Sequence, residues 1–428
     1  MRRLTVIAVL TPLTLLSGCS SLSLPHVRPY ERTTVLRPTL ANAQSPLIAA
    51  NTLRSREAEE GASGAMLEPP AEVQDQRVDL VQQRDDGLTR VVDGTSLLAR
   101  ANFAGKYSAA FTAGREQVRE SSPDVQDLAG GIYSENRTRY GLELAAREGR
   151  GRYSLAYLRD SSDDDATKTL RVGLTQKLFH DQTRLTLAWD RTAQDLERRG
   201  DATFRGTNER RGYVFGVSHL LTKRLELSAT MEGRTATGYL ADPYRTVRYL
   251  APTAPGGYAR QAERVPDQRS SDALTLRGRY ALAGDSSLGV DYRYYKDNWG
   301  IAAHTFAAEV FYPLGESLLL EAQLRHHRQD GAYFHQDLLA SRGAATGFYT
   351  RNPALSTLQA TGASLGFQWK FLQRRWKGID GGTLFGRLEH RRQRYDDYLD
   401  VRSGLAPGSE PPYRGSTTQL QLGASLQF

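Results

Sequence analysis

TTQLQLGASLQF, residues 417–428, alternates without a break. Leu420, Leu422, Ala424, Leu426 and Phe428 fall on one side of an extended strand. Gln419, Gln421, Gly423, Ser425 and Gln427 fall on the other, because strand side chains repeat every two residues. A water-soluble sandwich buries the apolar side of such a strand and wets the polar one. A barrel that crosses a membrane does the reverse, turning apolar side chains to lipid and polar ones to its lumen. The strand by itself fits both.

The other end of the chain separates them. Arg2 and Arg3 precede an apolar run, residues 4–16, which is too short for a spanning helix of about 20 residues. The run closes in Leu16-Ser17-Gly18-Cys19, similar to the lipobox of bacterial lipoprotein signals. That resemblance implies cleavage after Gly18 and acylation of Cys19. Cys19 is the one cysteine of the chain, so it serves neither an intramolecular disulfide nor a cysteine metal site. Ser20 stands where Asp would retain a lipoprotein in the inner membrane, so the expected location is the outer membrane, with a lipid anchor at Cys19. Phe428 agrees, because an amphipathic strand closing on an aromatic resembles the assembly signal of bacterial outer-membrane barrels. The expected partners are outer-membrane lipid and the barrel-assembly and lipoprotein-sorting machineries.

Composition points the same way. Hydrophobic residues make up 39% of 428, mean hydropathy is −0.52, and there are 21 Tyr and 39 Gly. After the signal no apolar run approaches ~18 residues, so crossing by helices is excluded, whereas alternating strands give this low hydropathy. The formal charge of +8 loses Arg2 and Arg3 on processing, and the remaining Lys and Arg are scattered rather than clustered, so nucleic acid is not an expected partner.

Three parts follow: a signal peptide at 1–18, a lipidated periplasmic arm at 19–97 and a β-barrel at 98–428. The arm carries Pro25, Pro29, Pro38, Pro46, Pro69 and Pro70 and no sustained period of two, with a short helix expected over residues 49–60. Beyond it, apolar alternation recurs from Phe103, Tyr107, Ala109 and Phe111 to the terminal strand. The expected fold is all-β: a transmembrane antiparallel up-and-down barrel of about 14 strands, within a range of 12–16. Its connections alternate in length. REGRG, FHDQ, LTKR, AGDS and PLGE are short and LQRRWKGIDG somewhat longer. Between them lie long segments at 114–137, 194–208, 238–270, 328–355 and 395–415, and two short ones at 161–165 and 296–300. Short turns at one end and long loops at the other are the outer-membrane arrangement.

Alternation also assigns the lumen. Lys106, Arg171, Lys177, Arg277, Arg279, Arg293 and Arg325 are expected inward, against Glu143, Asp190, Glu226, Glu232, Asp291, Glu309 and Glu321. Such a balanced set pairs across strands and narrows the pore, with Arg293 and Glu309 on neighbouring strands, whereas a selective pore concentrates one sign.

Residues that carry chemistry elsewhere have plainer readings. C-x-x-C-H is absent, so this is not a c-type cytochrome. His326 and His327 point to opposite faces and cannot share a metal. Asp160, Asp163, Asp164 and Asp165 lack EF-hand spacing and read as a solvated loop. Asp93-Gly94-Thr95-Ser96 departs from a flavinylation target at Leu97-Leu98. A lipid-facing hydrolase needs a Ser beside an outward His, and His304 has none at a matching position. Neither enzyme activity, a cofactor nor a metal is therefore expected. Tyr244-Arg245 and Trp299-Gly300 sit in loops where aromatic and basic pairing binds sugars or a partner. Tyr294, Tyr295, Trp299 and Tyr312 suit a girdle at the membrane boundary.

Three stretches carry a family resemblance: GTNERRGYVFGVSHLLTKRLELSATMEGRTATGYLADPYRTV, VPDQRSSDALTLRGRY and DYRYYKDNWGIAAHTFAAEVFYPLG. They are similar to the outer-membrane family catalogued as domain of unknown function 3570, over roughly residues 138–428. VRPYERTTVLRPTL, followed by SREAEEGASGA, resembles the small lipoproteins catalogued as domain of unknown function 4266, without that family's Gly- and Cys-rich ending. The two resemblances together imply a barrel and a lipoprotein, commonly separate, joined in one chain. The first family accompanies a flavin-attaching transferase and extracytoplasmic redox proteins, which implies a periplasmic redox or export partner. Three functions remain open: a channel, export conduit or membrane scaffold; a surface receptor or adhesin using the long loops; and, least supported, a barrel enzyme.

Cys19→Ala removes the acylated thiol, so incorporation of a palmitate analogue is expected to vanish and the precursor to stay unprocessed. Label retained in the variant, or absent from the native chain, contradicts the anchor.

Overall fold

The computed structural model describes residues 76–373 and 378–428. The signal, Cys19, the arm to residue 75, the helix expected over 49–60 and the small-lipoprotein resemblance all lie outside the described residues.

Sixteen strands close into one antiparallel barrel. In chain order they are β1 (Arg77–Gly87), β2 (Arg90–Phe103), β3 (Tyr107–Glu120), β4 (Tyr133–Glu148), β5 (Gly151–Ser161), β6 (Asp165–Leu178), β7 (Thr183–Arg198), β8 (Asp201–Leu220) and β9 (Leu225–Gly238). After a small sheet, described below, come β12 (Gln268–Ala281), β13 (Ser287–Asp297), β14 (Ala302–Leu314), β15 (Leu318–Gln329), β17 (Leu358–Leu372), β18 (Gly381–Leu399) and β19 (Pro412–Gln427). Each barrel strand pairs with its chain neighbours in the barrel, and β1 pairs with β19 from Arg77↔Gln427 to Gly87↔Thr417. No edge remains, so the backbone polar groups of the wall are satisfied inside the sheet, as a lipid environment requires.

The alternation of residues 417–428 is realised in the sense that membrane crossing demands. Gln421 on the inner face is 1% exposed and donates through Nε2 to Gln83 Oε1 at 3.0 Å, while Leu422 on the outer face is 47% exposed. Leu142, Leu144, Phe215, Leu276, Leu365 and Leu388 likewise stand outward in a continuous apolar belt. No described helix is long and apolar enough to cross a membrane. The crossing is made by strands.

Three expectations need correction. The barrel has sixteen strands rather than about 14, and it begins at Arg77 rather than at residue 98, so the last part of the expected arm is barrel wall. The outward side of β1 reads Val78, Leu80, Gln82, Arg84 and Asp86, apolar for only half its length, and Val81 turns inward. β2 carries Asp93 and Thr95 among its outward residues. Period-two hydrophobicity is therefore weak in both, and pairing with β3 and β19 supplies what their own sequences do not. The long segment expected at 194–208 is also strand: β7 and β8 run on past the apolar belt and turn at residues 199–200, with Arg198 pairing to Asp201.

Short turns at residues 104–106, 149–150, 179–182, 221–224, 282–286 and 315–317 define a turn end of the barrel. Longer connections at 121–132, 239–267, 330–357 and 400–411 define a loop end, with shorter ones at 88–89, 162–164, 199–200 and 298–301 between them.

Gly423 faces inward at the seam, where the Phe385 ring and Val81 form a small core. A Cβ there would run into the ring and lie 2.7 Å from the Leu80 carbonyl oxygen. Gly423→Ala is expected to cost about 1–3 kcal/mol through overpacking, read as a lower urea midpoint in lipid vesicles. Gly278→Ala, whose Cβ would meet Leu227 at an ordinary 3.6 Å, is the matched comparison, and equal midpoints for the two contradict the seam packing.

Candidate functional site

The inner wall is lined with ion pairs. Arg152 reaches Glu143 at 3.2 Å, Arg293 reaches Glu232 at 2.6 Å, and Arg387 reaches Glu321 at 2.7 Å. Arg277 Nη2 donates to Asp291 Oδ2 at 2.9 Å, Arg279 lies 3.6 Å from Glu309, and Arg139 pairs with Asp160. The Arg152–Glu143, Arg139–Asp160 and Arg277–Asp291 pairs join neighbouring strands, the sheet's unit of side-chain stabilisation, and Arg277 holds its carboxylate with two donors at once, whereas Arg293, Arg387 and Arg279 reach over an intervening strand. Arg171, Lys177, Asp190, Glu226 and Arg325 lie on the inward register of their strands, with Asp190 over the bare surface of Gly212.

One of the expected assignments fails. Lys106 is not in the lumen: Ala104 and Gly105 take positive φ and turn the chain, leaving Lys106 exposed and 3.2 Å from Glu148. Arg293 and Glu309 stand on neighbouring strands as expected, and each has another partner. The Arg293 guanidinium reaches across β12 to Glu232 of β9, while Glu309 pairs with Arg279. Arg139, Arg152 and Arg387 were legible from the same alternation that assigned the others, since each lies two, four or six residues from an inward position.

The loop end holds the densest polar cluster, which residue patterns did not reveal. Residues 121–132 carry a short helix, α1 (Pro123–Ala129), started by the Ser122 hydroxyl and ended by Gly130 in left-handed geometry. Residues 239–267 carry β10 (Thr246–Leu250) and β11 (Tyr258–Ala262), and β16 (Leu338–Leu339) of the loop 330–357 adds to β10 as a third, parallel strand. Loops from separate parts of the rim thus build one sheet.

Buried charges hold it. Asp124 of α1 is fully buried and pairs with Arg351, with Arg260 of β11 at 2.9 Å and with the Tyr398 hydroxyl at 2.8 Å. Arg351 also donates through Nε to Asp337 at 2.8 Å and lies 4.2 Å over the Tyr398 ring. Arg248 of β10 pairs with Asp337 and with Glu410 of the loop 400–411. Burial alone would raise the Asp124 carboxyl, but the guanidiniums of Arg351 and Arg260 outweigh it and hold the group below the ordinary carboxylate range.

The roots of these loops fix where the cluster lies. Six strands separate the loop between β3 and β4 from that between β9 and β12 on the shorter way round, and ten on the longer. Side chains rooted so far apart meet at Asp124, so the loops extend over the mouth of the barrel. Beneath, Trp299, Ile301, Ala332, Phe334 and Leu355 form an apolar core that seats the loop 330–357 on the rim. Tyr244, Arg245 and Trp299, expected as exposed ligand contacts, are 4%, 1% and 4% exposed and serve this cap instead. Tyr294 and Tyr312 face outward as a girdle requires, whereas Tyr295 is inward and buried. In the acidic segment Asp164 pairs with Arg199 at 2.8 Å and Asp160 with Arg139.

Glu263 is the titrating element of the cap. It accepts from the Asp242 amide at 2.7 Å and from the Thr350 hydroxyl at 2.5 Å, tying the loop 239–267 to the loop 330–357. Burial, with Asp242 adding to it and Arg245 opposing, pushes its carboxyl up to about 7. Because the folded value lies above the unfolded one of about 4.3, the protonated carboxyl favours the closed cap. That contribution is complete below the unfolded value and is lost as pH rises through about 7. His335 Nδ1 lies 3.6 Å from Asp397. Amide exchange in the loops 239–267 and 330–357, corrected for its intrinsic pH dependence, is expected to be several-fold faster at pH 8 than at pH 6, with Glu263→Gln reducing the difference. An unchanged pH response in that variant contradicts the assignment.

The profile of the family described as "Protein of unknown function (DUF3570)" matches residues 149–398. No curated protein matches the chain. Similar solved structures include a bacterial polysaccharide outer membrane secretin, at 8% identity over 83% of this chain and 99% of that chain, with a TM-score of 0.43. CdiB from Acinetobacter baumannii is 8% identical over 81% of this chain and 60% of that one, with a TM-score of 0.42. The CymD monoaromatic hydrocarbon channel is 10% identical over 83% and 89%, with a TM-score of 0.38. At these scores the fold rests on the strand pairing itself.

Proposed function

The chain belongs to the DUF3570 family, and we propose that it is an outer-membrane conduit held shut at its outer end by the interlocked loops. The loop end faces the exterior, and the turn end, where the Phe428 amide donates to the Gln76 carbonyl at 2.9 Å, faces the periplasm. The observation that carries this reading is the meeting of loops from β3–β4, β9–β12, β15–β17 and β18–β19 on Asp124, Arg351 and Arg248. A receptor displays its loops; here the charged residues of the longest ones are spent on one another. The balanced charge of the lumen supports passage of something other than a single class of ion. A periplasmic redox or export partner acts from the turn end, and the scaffold role fits the same geometry with that partner docked permanently.

Removing one member of the buried network leaves the others uncompensated, a loss of about 3–5 kcal/mol, which is enough to unseat loops that the barrel itself does not need. In planar bilayers the native chain is expected to give small, weakly ion-selective conductance. Arg351→Ala is expected to raise single-channel conductance at least several-fold while heat-modifiable gel mobility is kept. A large pore in the native chain, indifferent to Arg351→Ala, contradicts the conduit held shut by its loops.

A further inference from the structure

On the outer wall, register rows cross the strands from β6 to β13. One row reads Val172, Trp189, Tyr213, Gly233, Asp272 and Lys296. The next row toward the turn end includes Leu187, Phe215, Met231 and Tyr294. Together they line a groove of about 890 Å³. Gly233 is why the wall is hollow here. It stands between Tyr213 and Asp272, and a Cβ on it would meet nothing nearer than Asp272 Oδ1 at 3.7 Å.

The row just nearer the loop end changes character. Arg191 and Arg211 stand opposite each other across β7 and β8, each with a side chain 53% exposed. Glu209 lies between them, 2.5 Å from Arg191 and 2.6 Å from Arg211. One row further, Arg159 and Lys168 form another exposed cross-strand pair, and Lys296 stands at the far rim of the groove. Five cations thus face two carboxylates, Glu209 and Asp272, above an apolar trough within the membrane belt. The aromatic rings of Trp189 and Tyr213 lie at the boundary, where such rings favour the headgroup level.

We propose that this groove binds a phosphate-bearing membrane lipid, with an acyl chain laid over Phe215 and Met231 and the phosphate held by Arg191 and Arg211. Guanidinium forks match phosphate oxygens in pairs, and cations next to a membrane surface attract anionic headgroups. Continuity with the apolar belt selects a lipid over a protein segment, and the excess of positive charge selects an anionic headgroup. The site lies on the outer wall, apart from the lumen and cap, so it stands whether or not the barrel conducts.

The full chain, stripped of lipid in detergent, would be mixed with diphosphoryl lipid A, with the same lipid lacking phosphates, or with inorganic phosphate, and retained adducts read by native mass spectrometry. A one-to-one adduct is expected with the phosphorylated lipid alone, weakening as salt rises. The double variant Arg191→Ala/Arg211→Ala and the groove-filling Gly233→Leu are each expected to lower affinity at least tenfold. Arg84→Ala, on the opposite wall, leaves it unchanged. Heat-modifiable mobility identifies folded variants, and Lys296→Ala, expected to weaken binding several-fold, serves where the double variant does not fold. Equal retention of the phosphate-free lipid, displacement by inorganic phosphate, or undiminished binding in folded Gly233→Leu would each overturn the proposal.

Discussion

Eleven residues of β1 pair with eleven of β19, and that ladder turns a sheet with two raw edges into a closed wall. In a lipid environment an unpaired backbone amide or carbonyl has no water to turn to and costs several kcal/mol. Closure therefore decides everything else about the wall. Once the strands are tied in a ring, every side chain points either to lipid or to the lumen. The outward set has to be apolar and the inward set polar. Gln421 buried beside Gln83, with Leu422 standing outside, is the local form of that rule. The seam leaves so little room that Gly423 has no space for a side chain beneath Phe385.

A closed wall then poses an electrostatic problem, which the chain solves in two places. Along the lumen, cations face anions, so Arg152 with Glu143 and Arg277 with Asp291 satisfy each other on neighbouring strands, while Arg387 reaches over β17 to Glu321. Above the mouth, the same chemistry is used between loops rather than strands. Asp124, Arg351, Asp337, Arg248 and Glu410 form a chain of alternating charge that runs through four loops. Buried pairs of this kind contribute little net stability, but losing one partner is costly. Such a network holds the loops firmly only when it is complete. Glu263, whose carboxyl is pushed up to about 7, ties two of those loops together.

The wall was legible in the sequence wherever outward residues were long and apolar, as in β4, β8, β12 and β19. It was illegible in β1 and β2, whose outward sides mix Val and Leu with Gln, Arg, Asp and Thr, and which are strands because their neighbours pair with them. Turn chemistry explains Lys106: Ala104 and Gly105 reverse the chain where unbroken alternation had placed it inside. The partner of Arg293 was beyond sequence reasoning for another reason, since a guanidinium reaches past the adjacent strand to the one beyond. The cap was the least visible part. Asp124 and Arg351 are separated by more than two hundred residues, and neither belongs to a motif, so their meeting follows from barrel closure and not from any local pattern.

The central claim is that the loops form a closed, ion-paired cap and not a set of independent flexible connections. Hydrogen exchange of the folded chain in lipid bilayers at pH 6 tests it most directly, read at the amides of β10 and β11. Protection approaching that of the barrel strands, lost on Asp124→Ala while β7 and β8 stay protected, is the result expected. Exchange of β10 and β11 in the native chain as fast as that of unstructured loops would contradict it.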